Sequence, residues 1–116
     1  MVDQWLDEVK EKAHSEDLGM ILVHNGIVRS TSKEGKPVRG MILSYDQEKL
    51  HALIAAFGTK PGISEIKAWI NTGTLGIGDT IMLLLVAGRF RTDVLPVFEE
   101  VLARIKNEIV TEKELQ

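Results

Sequence analysis

Three basic side chains stand where they could act on an anion. Arg91 ends the run Gly88-Arg89-Phe90-Arg91, just after an apolar stretch, residues 79–88, that carries no charge beyond its opening aspartate. Gly78-Asp79 punctuate its start, so the stretch is predicted to be a buried strand. Thr92 and Asp93 supply a cap and an acidic first turn for a helix expected to run to about Lys113. Arg91 then lies at a strand-to-helix junction, where a side chain can point into a cleft. Lys106 and Lys113 follow on the same predicted helix, close to two turns apart, and so project from one side of it.

Leu95, Phe98, Leu102, Ile105 and Ile109 form the apolar stripe of that helix, at the spacing of a face turned to a core. Both lysines fall on the flank of the stripe. Such positions have two readings. The ammonium groups face a pocket, or the stems lie along the core edge with their charges in water. Glu100, Arg104, Asn107 and Glu108 hold the solvated side.

Composition narrows the possibilities. The chain has 116 residues, enough for a single domain over 1–116 with a real core but not for two. Its 14 basic and 17 acidic residues are scattered, for a formal charge of −3, and no basic face suited to duplex nucleic acid is visible. No nucleic-acid partner is expected. Cysteine is absent, which excludes disulfides, thiolate catalysis and cysteine metal sites, and fits a reducing cytoplasm. Any sulfur chemistry would need sulfur carried in by a partner. The acidic N-terminal stretch does not suit a signal peptide. The longest apolar run falls far short of the roughly 20 residues that span a bilayer, so a soluble, cytoplasmic protein with no membrane partner is expected.

Several other elements must position these cations. Val2, Trp5, Leu6, Val9 and Ala13 recur at helical spacing, so residues 2 to about 16 are predicted to form an amphipathic helix. Residues 19–23 read as a strand, and His24-Asn25-Gly26 before Ile27-Val28 fits either a hairpin turn or a bulge in a continuing strand. Residues 29–37 are polar, end in Glu-Gly-Lys-Pro, and form the segment most suited to disorder. Residues 38–45 read as a strand. Asp46 should cap a helix whose buried face is Leu50, Leu53, Ile54 and Phe57, closed by Gly58. A turn over 59–62 leads to a strand from Ile63 to Asn71. Residues 73–78 are glycine-rich but lack the Lys-Ser/Thr of a phosphate loop and precede a strand, not a helix; a tight turn between strands is expected. The order α-β-β-α-β-β-α suggests an α+β domain with helices packed on a largely antiparallel sheet.

Three blocks in this order resemble the large, catalytic subunit of molybdopterin synthase. They are Gly19-Met-Ile-Leu-Val-His-Asn-Gly-Ile-Val-Arg29, then Gly73-Thr-Leu-Gly-Ile-Gly-Asp79 with its following strand, then the ungapped stretch from Asp79 to Glu114. The resemblance implies an α/β-hammerhead-like domain and a role in molybdenum cofactor biosynthesis. It implies a sulfurtransferase that places two sulfurs on cyclic pyranopterin monophosphate as the dithiolene of molybdopterin. The sulfur donor would be the C-terminal Gly-Gly thiocarboxylate of a small ubiquitin-like subunit. It further implies a homodimer of large subunits, a heterotetramer with the small ones, a pocket near the dimer interface, and no metal or cofactor of its own.

Residue by residue, Arg29 and Arg91 match family arginines of the anionic substrate pocket, where guanidinium forks suit phosphate oxygens. Lys106 matches the lysine beside the thiocarboxylate tail, placed for proton transfer or charge stabilisation. Lys113 matches a second pocket lysine, assigned to substrate binding and charge stabilisation. The chain also departs from the family. Phe90 stands where a histidine is usual, removing one hydrogen-bonding and chargeable group. His24 stands where an aromatic residue is usual, and could return an imidazole to the neighbourhood. The family's His-Tyr-Pro-Gly-Met-like segment is shortened to Ser44-Tyr45-Asp46, and its Pro-x-Trp-Lys ending appears as Val110-Thr-Glu-Lys113. A non-catalytic homologue that binds a pterin phosphate or other anion is the alternative reading. A third is a dimeric interaction module in which the lysines pair with carboxylates such as Glu99 or Glu114.

Overall fold

The computed structural model describes residues 1–12 and 16–116. Helix α1 spans Val2–Lys12; the continuation expected through Ala13 lies outside the described residues. Strand β1, Met20–Ile27, runs straight through His24-Asn25-Gly26 and shifts register between Gly26 and Ile27, so the bulged strand is the form adopted. Strand β5, Thr80–Gly88, pairs antiparallel with β1 on one side and with β3, Ile63–Ile70, on the other. Its apolar run is buried because it is the central strand and both its faces are covered. Leu85 and Ala87 meet Val9 of α1, while Met82, Leu84 and Val86 join the main core.

That core is supplied from the other face by α2, Gln47–Gly58, and α3, Arg91–Arg104. Leu50 and Leu53 come from α2, and Val94, Val97 and Val101 from α3. Asp46 caps α2 as expected, its carboxylate accepting a hydrogen bond from the Lys49 backbone N–H at 3.1 Å. On α3 the buried stripe lies one residue earlier than expected at Val94, Val97 and Val101; Leu95 is exposed, and Phe98 and Leu102 are half-buried. The helix also starts earlier, with Phe90 at its N-cap position and Thr92-Asp93 within its first turn.

A second antiparallel sheet has the order β4-β2-β6, formed by Gly73–Gly76, Gly40–Tyr45 and Val110–Leu115. Two of its strands correct the sequence reading. Part of the glycine-rich connector pairs with β2 as β4, and only the residues after it make the tight turn. The helix predicted to reach Lys113 stops at Arg104, passes through one π-helical turn, Ile105–Ile109, and becomes β6. The turn is closed by a hydrogen bond from the Val110 N–H to the Ile105 carbonyl, the five-residue reach that defines a π turn. Ile105 is fully buried and Ile109 nearly so, which pins the turn to the core shared by both sheets.

Residues 29–37 form a closed loop. Thr31 bridges Pro37, and Ser32, 8% exposed, accepts from the Lys36 N–H through its hydroxyl. No described helix is long and apolar enough to cross a membrane. Ile105→Ala should cost about 2–5 kcal/mol of unfolding free energy, the usual range for emptying a buried isoleucine site. Urea denaturation followed by circular dichroism measures this, and a loss below about 1 kcal/mol would mean that the turn does not depend on its buried anchor.

Candidate functional site

At the end of β1 nearest the loop 29–37, the two sheets part and leave an open cleft of about 870 Å³. Its basic groups arrive from distant parts of the sequence. Arg29 follows Val28, which is 2% exposed and fixes the chain as it leaves β1. Lys106 projects from the π turn immediately after buried Ile105. Lys33 joins them from the loop. Arg29 and Lys106 thus share one cleft, and both are exposed along it.

Arg91 and Lys113 are not among its walls. Arg91 opens α3 beyond the Gly88 end of β5, whereas the cleft touches β5 at Ile81 and Met82. Six strand residues separate those ends, about 20 Å at the usual rise of about 3.3 Å per residue. Lys113 lies on β6 directly opposite Ile42 of β2. Paired residues share a face of the sheet and neighbours alternate, so Lys113 faces away from buried Met41 and Leu43. Glu112 and Glu114, opposite Leu43 and Met41, take the cleft side. The expected two-turn spacing of Lys106 and Lys113 on one helix is therefore replaced by a turn and a strand. Within one chain, two of the four family-matched cations converge.

Among the described residues the ion pairs are Glu8–Lys67, Asp93–Arg89 and Glu100–Arg104. Arg29, Arg91, Lys106 and Lys113 take part in none of them, and neither Glu99 nor Glu114 holds a lysine. Arg29, Lys33 and Lys106 are offset on the cleft walls by Glu34, Glu112 and Glu114, so the charges lining the cleft balance. The sequence names Glu114 only as a possible partner for a lysine, and a helix running to about Lys113 hides that Glu112 and Glu114 share one face. Read as a strand, the alternation Val110, Glu112, Glu114 marks one face.

His24 is the other residue that sequence reasoning left undecided. It belongs to the same face of β1 as Met20 and Leu22, which pack on the core, but at position 24 that row reaches the cleft. Its Nε2 atom is buried with no hydrogen-bond partner. Burial, and then the nearby Lys106 charge, hold its pKa below the ordinary histidine value. Phe90, by contrast, is 59% exposed and remote from the cleft, with the Arg89 guanidinium 4.9 Å from its ring centre. The shortened segment at Ser44-Tyr45-Asp46 leaves no loop at all. Tyr45 ends β2 and Asp46 caps α2, while the Asp46 N–H donates to the Ile109 carbonyl at 3.0 Å.

Comparison with known proteins places this arrangement. The family model described as MoaE protein matches residues 2–108. The chain belongs to the MoaE family. Lys113 and all of β6 lie beyond the matched residues. An uncharacterized protein of Methanocaldococcus jannaschii is 32% identical over 105 residues, covering 87% of each chain. Molybdopterin synthase from Staphylococcus aureus superposes with a TM-score of 0.76 at 23% identity, over 94% of this chain and 82% of that one. A Helicobacter pylori complex of subunits 1 and 2 of molybdopterin-converting factor gives 0.74 at 20%, over 97% and 77%. At these identities the solved structures establish the MoaE-like α+β fold.

Exposed and without a salt bridge, Lys106 contributes little to folding. Lys106→Ala should leave the unfolding free energy within about 0.5 kcal/mol of the parent in urea denaturation. A loss above about 2 kcal/mol would make it a structural residue.

Proposed function

We propose that this chain is the large subunit of a molybdopterin synthase. It takes sulfur from the C-terminal thiocarboxylate of a small ubiquitin-like subunit and delivers it to cyclic pyranopterin monophosphate, forming the dithiolene of molybdopterin. Membership of the MoaE family supports a role in molybdenum cofactor biosynthesis. The observation that carries the finer reading is the convergence of Arg29 and Lys106 in one cleft, from a strand end and a π turn far apart in sequence. A chain without cysteine also requires that the sulfur be brought by a partner.

In this reading Arg29 holds the phosphate, its planar donors matching two oxygens at once. Lys106 stabilises the negative charge of the thiocarboxylate and of the groups formed from it, and is placed to move a proton. Arg91 and Lys113, which point elsewhere in the single chain, join a pocket only when two copies assemble. An isologous dimer would bring Arg91 of one copy toward the cleft of the other. The small subunit is the further partner, in line with the two-subunit complex of the Helicobacter pylori protein. The second reading, a binder without catalysis, draws on Phe90, whose ring can neither donate a hydrogen bond nor carry charge.

The deciding experiment combines purified chain, thiocarboxylated small subunit and cyclic pyranopterin monophosphate, and follows molybdopterin. Product is expected, and Lys106→Ala should abolish it with the fold intact. Binding of the small subunit or the pterin with no product would favour the non-catalytic binder. A mixing experiment tests the assembly. Arg91→Ala and Lys106→Ala, each inactive alone, should together regain about a quarter of the parent activity, because random dimers then carry one complete site in half of the pairs. Failure to regain any would place Arg91 outside the partner's cleft.

A further inference from the structure

The row of β1 side chains facing α3 is apolar at Met20 and Leu22, then changes character at His24. That imidazole packs over Gly26, where a Cβ atom would stand 3.2 Å from Nε2. Directly opposite on β5 is Leu84, fully buried. Nε2 is therefore enclosed by neighbouring groups, while the His24 side chain lines the cleft, so a modest turn of the ring would bring Nε2 to a ligand bound there. A buried polar atom left unpaired is costly, and that cost is relieved when a binding partner supplies the missing hydrogen bond.

The charged groups around the cleft are Lys106 on the π turn, Arg29, Lys33 and Glu34 on the loop, and Glu112 and Glu114 on β6; β5 brings only Ile81 and Met82. Of the charged groups, Lys106 is the one that bears on His24. No carboxylate is close enough to favour an imidazolium. The neighbourhood of His24 is thus locally positive within a cleft that is balanced overall. An oxyanion fits such a place better than a cation or a neutral group.

We propose that His24 is a substrate-contacting residue of this cleft: with Lys106 it holds an oxyanion of the bound molecule, and it takes up a proton as that anion binds. The proposal rests on the anion-binding reading of the cleft given above and adds a residue and a pH dependence to it. The sign follows from linkage. Empty, the cleft holds a neutral imidazole at pH 7, since burial and Lys106 both disfavour its charge. An anion between the two reverses that preference, so the His24 pKa rises on binding and affinity falls as pH rises through the bound-state pKa.

Sulfate is the probe, because it keeps its charge across the range in which histidine titrates. The imidazole of each histidine is followed by NMR from pH 5 to pH 8, with and without sulfate. The His24 pKa should rise by about one unit at saturation, equivalent to about tenfold weaker sulfate binding at the alkaline end. Lys106→Ala should raise the His24 pKa in the absence of sulfate, a change that a purely structural histidine far from Lys106 would not show. His24→Phe should remove the pH dependence of sulfate affinity; if that variant does not fold, the parent titration decides alone. Sulfate shifts at Arg29 and Lys106 with the His24 pKa unchanged would overturn the proposal and leave the anion cleft standing. Absence of any sulfate effect in the cleft would overturn both.

Discussion

The site depends on how the chain leaves α3. An α-helix carried onward from Arg104 would project Lys106 and Lys113 together into solvent and leave β2 without one of its partners. Instead the Val110 N–H bonds to the Ile105 carbonyl, and two buried isoleucines hold that widened turn against the core. The chain emerges extended beside β2, and the Asp46 N–H ties the junction to the Ile109 carbonyl. One irregular turn thereby completes the second sheet, forms a wall of the cleft and sets Lys106 above it. π turns lengthen a helix locally by a residue and are found disproportionately at functional positions; here the geometric effect is evident.

The electrostatic character of the cleft follows from the same turn. With β6 extended, alternation sends Glu112 and Glu114 inward and Lys113 outward. The cleft of a single chain therefore has three cations and three carboxylates on its walls, not a uniform positive field. Selectivity must arise where cations stand apart from carboxylates, and the neighbourhood of His24 and Lys106 is such a place. Further positive charge from Arg91 or Lys113 would have to come with assembly, which makes two copies chemically meaningful beyond their stability.

Much of the fold was legible because local signals and tertiary demands agree. The buried run of β5, the capped amphipathic α2 and the amphipathic α1 each announce themselves through periodicity and punctuation. The bulge at Gly26 was one of two forms that the local residues allowed. The errors cluster at β4 and β6, whose identity comes from pairing with β2. Glycines in 73–76 argue against a strand locally, yet their backbone pairs with 40–43. Ile105 and Ile109 continue the helical period of α3, and nothing in Val110–Lys113 forbids a helix, so only competition for the edge of β2 could reveal the change. For the site, Arg29 and Lys106 came from resemblance and fall in one cleft. The unpaired Nε2 of His24 could not be read from sequence, since it depends on what surrounds the ring.

The central claim is that the Arg29–Lys106 cleft receives the phosphate of the pterin. A crystal structure of the chain with cyclic pyranopterin monophosphate tests it most directly. The account predicts the phosphate within hydrogen-bonding distance of the Arg29 guanidinium, inside the cleft that Lys106 and His24 also line. Ligand bound on the opposite face of β6 beside Lys113, with the cleft empty, would contradict it.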